Sequence, residues 1–142
     1  MNDRIYGIFK AKSKSKFEWV CGHLTKHLEK YYICYEQPDE MCQVGNWRYS
    51  IEVIPETICE YTNNFDNTGK MIYENDVVKT KYGRLCKVVW YSSNSYTGWD
   101  LEPIMTKENL DLPTPDGWDL WRPSNLTLVG NIHDGSNNIH RE

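Results

Sequence analysis

DVVKTKYGRLCKVVWY, residues 76–91, is the stretch on which the rest of the chain is read. Two runs rich in β-branched and aromatic residues, 76–82 and 84–91, flank Gly83, and this arrangement predicts a β-hairpin. Val88, Val89, Trp90 and Tyr91 form an apolar run the length of one buried strand. It falls far short of the ~20 residues that a membrane-spanning helix needs, so no membrane partner is expected.

The same pattern extends outward on both sides. Residues 96–102 follow the polar turn Ser92-Ser93-Asn94-Ser95 and predict a second hairpin, and residues 126–133 predict a closing strand. Toward the N-terminus, residues 49–54 alternate cleanly until Pro55, which cannot donate to a ladder and ends the strand. Residues 4–10, 17–24, 30–35 and 57–62 are further predicted strands, the second placing Phe17, Trp19 and Cys21 on one face. The polar stretch 11–16 reads as a hairpin loop, and residues 63–69, dense in Asn, Asp and Gly, read as a turn between two halves. Helix signals are short and lack a sustained apolar stripe.

The chain has 142 residues, of which 39% are hydrophobic and 13% aromatic, with ten Tyr and six Trp against three Phe. Tyr and Trp combine apolar area with a polar tip, which suits half-buried sheet faces and binding surfaces alike. The net charge of −4 is uneven: residues 1–30 hold seven Lys/Arg and three Asp/Glu, giving +4, and the remainder nine and seventeen, giving −8. A duplex-DNA binder normally carries a basic domain, so general duplex binding is not expected. The layout suits steering of an anionic partner, or head-to-tail contact between subunits, and with open strand edges it points to a homo-oligomer.

Five cysteines, Cys21, Cys34, Cys42, Cys59 and Cys86, are scattered without a C-x-x-C pair. Together with an N-terminus that lacks an apolar signal segment, this points to reduced thiols and a cytoplasmic location. Cys21, His23, His27 and Cys34 can be drawn as a zinc set, but an extended segment puts His27 beyond the strand face shared by Cys21 and His23. Neither a metal nor a cofactor is expected.

The order of the motifs resembles the YopX-like family of phage and prophage proteins. Phe17-Glu18-Trp19-Val20-Cys21-Gly22 is similar to an N-terminal "EWV-x-G" signature. Glu60-Tyr61-Thr62, Asp66, and the run from Thr68-Gly69 to Glu74-Asn75-Asp76-Val77-Val78 resemble a central "YTG-x-x-D-x-x-G-x-x-I-Y/F-E-G-D-I-V" pattern. Leu128-Val129-Gly130-Asn131-Ile132 is similar to a closing "VIGNI" strand. Asn63 and Asn75 stand where the family has glycine, and asparagine tolerates left-handed φ better than other non-glycine residues. The resemblance implies a mainly β fold: an N-terminal β subdomain (1–62) packed on a C-terminal SH3-like barrel or roll (63–133), then a tail (134–142). It implies a bacterial host cell and no established activity.

The chain carries no G-x-G-x-x-G, P-loop, G-x-S-x-G or H-E-x-x-H motif, so no catalytic residues are expected. Glu74 and Asp76 look like a carboxylate pair, yet with Gly69, Asn75 and Gly130 they fit a structural turn role. Two binding readings remain. In the first, the long loop 103–125 either caps the barrel or presents Trp118 and Trp121, with Trp99, to a host protein, acting on host machinery such as defence. In the second, Lys12, Lys14 and Lys16 supply charge, and Tyr91 and Tyr96 stacking, for a nucleotide or short single strand.

Overall fold

The computed structural model describes residues 8–35, 49–104, 106 and 121–135. The fold is mainly β, built from two antiparallel sheets. Among the described residues the elements are strands and two 3₁₀ turns, and no helix is long and apolar enough to cross a membrane. The chain divides into two compact units, Met1–Tyr61 and Thr62–Glu142.

In the first unit, β1 (Ile8–Lys12), β2 (Trp19–His27), β3 (Lys30–Tyr35) and β4 (Tyr49–Val53) form an antiparallel meander. Opposed pairs such as Ala11↔Val20, Leu24↔Ile33 and Ile33↔Ile51 set one face inward. Ala11, Ile33 and Val53 form the buried core there, with Phe9, Val20, Leu24 and Tyr31 against it. Gly22 sits in the middle of β2 because a Cβ there would lie 2.2 Å from the carbonyl oxygen of Cys34. The β2–β3 turn uses Leu28 and Glu29 at φ 52° and 69°, backbone that favours Gly or Asn.

Two expectations are corrected here. The strand β1 runs on through Lys12 instead of yielding to a loop at Ala11, because Ile54 N donates to Lys12 O (2.9 Å) and Lys12 N donates to Thr57 Oγ1 (2.8 Å). The turn begins only at Ser13, whose hydroxyl accepts from Lys16 N and Glu18 N. Phe17, expected in a strand, adopts φ 58° in that turn, and β2 extends instead to His27.

The strand β5 (Cys59–Phe65) passes from the first unit to the second. Its first residues pair with β1 through Phe9↔Glu60 and Lys10↔Cys59. It continues through Asn63 and Asn64, which the sequence assigns to a turn. Asn63 absorbs the irregularity at φ 68°, and Thr62 Oγ1 donates to Ile72 O at 2.8 Å, holding the neighbouring strand β6 (Met71–Tyr73).

The second unit also holds a four-stranded sheet in the order β10 (Thr127–Asn131), β7 (Asp76–Lys79), β8 (Leu85–Ser92), β9 (Thr97–Pro103). Ile72, Val78, Cys86, Val88, Leu101 and Leu126 form its core, with Trp99, Trp121 and Leu128 packed against them. Of the two valines that follow Asp76, Val78 is the one fully buried. Among the described residues neither sheet closes into a barrel; the architecture is two open sheets.

Candidate functional site: an aromatic hairpin and its cleft

Strand alternation explains how the β8–β9 hairpin displays its aromatics. Val88 pairs with Leu101 on the core-facing row, and Trp90 pairs with Trp99 one step further along. The core ends before that row does, so Trp90 is 54% exposed and rests edge-on against Trp99, with centroids 5.0 Å apart and planes at 80°. Such an edge-to-face pair adds about 1 kcal/mol beyond area burial, so Trp90 is oriented although it is exposed.

On the other row Tyr91 opposes Gly98, and the rings of Tyr91 and Tyr96 stack at 6.4 Å with planes 27° apart. They are 48% and 45% exposed. Ser93 holds this tip: its N–H donates to Tyr96 O (2.7 Å) and its Oγ accepts from Tyr96 N (3.2 Å). The Tyr96 hydroxyl donates to Trp99 O at 2.6 Å, and the ring lies so close over Gly98 that a Cβ there would stand 2.9 Å from the hydroxyl oxygen.

Tyr96, Asp100, Trp121 and Arg122 line one open cleft of about 500 Å³. Asp100 Oδ1 accepts from Leu101 N at 2.8 Å, which leaves Oδ2 open. Among the described residues the Arg122 guanidinium and the Trp121 indole N–H have no hydrogen-bond or ion-pair partner. The cleft thus presents ring surface, one carboxylate oxygen and one cation.

The other candidate residues fall elsewhere. Trp99 is half-buried and Trp121 packs on the same core, while Trp118 lies outside the described residues. Of the lysines, Lys12 is only 6% exposed, with its Nζ 5.3 Å from the centre of the Trp19 ring beside Lys10 at 4.6 Å. Lys14 pairs with Glu52 at 3.3 Å, and Lys16 is exposed in the turn after Ser13. These lysines belong to the first unit, whereas Tyr91 and Tyr96 belong to the second.

The carboxylates organise backbone. Asp76, fully buried, accepts from Tyr73 N (2.7 Å) and Asn131 Nδ2 (2.8 Å), and half-buried Glu74 lies in the turn just before it. Asn75 adopts φ 69°, Gly69 φ 90°, and a Cβ at Gly130 would meet Asp134 Oδ2 at 2.8 Å. Burial alone would raise the Asp66 carboxyl. Hydrogen bonds from Leu128 N, Lys70 N, Thr68 Oγ1 and Thr68 N outweigh it and hold the group at about 2.

Sequence reasoning passed over Trp90, Asp100 and Arg122. Trp90 was hidden inside an apolar run that reads as buried strand. Arg122 had a usable signal in its adjacency to Trp121, whereas Asp100 had none, since its place in the cleft depends on long-range packing.

No curated protein matches this chain. A family model described as YopX protein matches residues 8–140. That span takes in every strand of both sheets, and the chain belongs to the YopX family.

Proposed function

We propose that this chain is a phage- or prophage-encoded, non-enzymatic binding protein that grips a host protein inside the bacterial cell and redirects host machinery, including defence. The observation that carries this reading is the hairpin tip, where Trp90, Tyr91 and Tyr96 stand exposed yet are held in place by Trp99, Ser93 and Gly98. Rigid aromatic side chains provide large contact area with little ordering entropy, which is why they dominate interface energetics. The resemblance to phage proteins supports the setting.

The second unit is read as an SH3-like roll. In support, the last strand of its four-stranded sheet, β10, lies beside that sheet's first in chain order, β7, and follows a 3₁₀ turn, Pro123–Asn125. The outer edges of β9 and β10 suit strand pairing between copies, so the protein is proposed to be a homo-oligomer.

The test is affinity capture from the host with wild type and a Trp90→Ser/Tyr91→Ser double variant. A host protein retained by the first and lost by the second is expected. An identical set of captured proteins would remove the hairpin as the contact surface. Native mass spectrometry of the same preparation reads the subunit number, and a monomer would end the oligomer proposal.

A second reading is favoured by the cleft: binding of a nucleotide or short single strand. Two rings for stacking and an unpaired guanidinium for phosphate line one cavity. In this version Arg122 replaces Lys12 and Lys14, which are buried or already paired.

A further inference from the structure

We infer that the cleft lined by Tyr96, Asp100, Trp121 and Arg122 is a site for a guanine nucleotide, with Asp100 reading the base and Arg122 holding the phosphate. This assignment rests on the nucleotide-binding reading above and narrows it.

The cleft leaves one carboxylate oxygen and one guanidinium with open hydrogen-bonding capacity. Its volume of about 500 Å³ falls within the range of small-molecule sites, so one nucleotide is an appropriate occupant. A ligand that satisfies Asp100 must bring donors, and one that satisfies Arg122 must bring acceptors. Flat apolar surface is needed as well, to cover Tyr96 and Trp121. A nucleoside monophosphate has all three parts.

Among the bases, the carboxylate selects guanine. Guanine carries two adjacent donors, N1–H and the N2 amino group, spaced to meet the two oxygens of a carboxylate in parallel. Adenine and cytosine place an acceptor beside their single amino donor, and that acceptor faces the carboxylate charge unfavourably. Asp100 is set up for this role: Leu101 N takes one lone pair of Oδ1 and fixes the group, while Oδ2 stays open. The Arg122 guanidinium, unpaired among the described residues, offers a fork of N–H donors that matches phosphate oxygens. Tyr96 is oriented before any ligand arrives, because its hydroxyl is tied to Trp99 O at 2.6 Å. Its ring therefore forms a fixed wall, and Trp121 lines the same cleft.

The test is isothermal titration calorimetry of the full chain with GMP, AMP and guanosine, repeated on Asp100→Asn and Arg122→Ala. The wild type is expected to bind GMP about tenfold or more tighter than AMP, a gap of the size one additional good hydrogen bond supplies. Asp100→Asn retains an acceptor for Leu101 N, so it keeps the fold while erasing the GMP-over-AMP preference. Arg122→Ala is expected to weaken GMP to the level of guanosine. Equal affinity for GMP and AMP, or a preference untouched by Asp100→Asn, overturns the guanine assignment and leaves nucleotide binding standing. No heat with any nucleotide and none with a single-stranded oligonucleotide overturns both.

Discussion

The backbone N–H of Leu128 donates to Oδ2 of Asp66 at 2.8 Å, joining positions 62 residues apart. The same side chain organises its own turn through Oδ1, which accepts from Thr68 N, Thr68 Oγ1 and Lys70 N. One carboxylate therefore shapes the β5–β6 turn and secures β10 in the second unit.

This arrangement makes stability depend on pH with a definite sign. Asp66 is held at about 2 against an ordinary 3.8, so the folded state prefers it ionised. Its contribution, about 2 kcal/mol, is fully present above pH ~5 and is lost as the pH falls through 4 toward 2. Urea titrations at pH 7 and pH 3 should show wild type losing stability that Asp66→Asn does not lose. Parallel pH slopes for the two proteins would refute it.

Asp76 provides a second test. Replacing it with Ala strips partners from Tyr73 N and Asn131 Nδ2 in a fully buried place. Loss of two buried hydrogen bonds to a carboxylate and a small void should lower unfolding free energy by about 3 kcal/mol or more. A drop under ~1 kcal/mol, measured by urea denaturation, would show that the turn closes without it.

The β2–β3 turn should be improvable. Leu28 and Glu29 both hold positive φ, and Leu28 is 79% exposed, so no packing compensates for the strain. Leu28→Asn with Glu29→Gly is expected to stabilise the protein by about 1–2 kcal/mol. A lowered melting temperature would point to a contact made by the Leu28 side chain.

Gly22→Ala should be severe. Its new Cβ would meet the Cys34 carbonyl oxygen at 2.2 Å, a backbone atom that moves only if β3 shifts. A loss of about 2 kcal/mol or more is expected, and a variant with wild-type stability would mean that the β2–β3 spacing gives way easily. Gly98→Ala presses on the Tyr96 hydroxyl at 2.9 Å, against its bond to Trp99 O, at a φ of 159° that side chains rarely adopt. It should lower stability by about 1 kcal/mol or more while altering the fluorescence of the neighbouring tryptophans. Unchanged emission would place Tyr96 away from them.

The alternation of apolar and polar residues, the stop at Pro55 and the left-handed tolerance of Asn63 and Asn75 are properties of near neighbours. The sequence by itself therefore determined that the chain is mainly β, that residues 76–91 form a hairpin, and that the motifs are those of the YopX family. Tertiary structure alone decided where strands end when a distant partner supplies the hydrogen bond. Thr57 and Ile54 carry β1 through Lys12, and Leu128 reaches Asp66 from the far side of the chain. It also decided that Lys12 lies over Trp19 and that Asp100 shares a cleft with Arg122. Period-2 patterning sets which face a side chain takes within its own strand. Which other strands that face meets depends on pairing between residues remote in sequence, and local pattern carries no record of it.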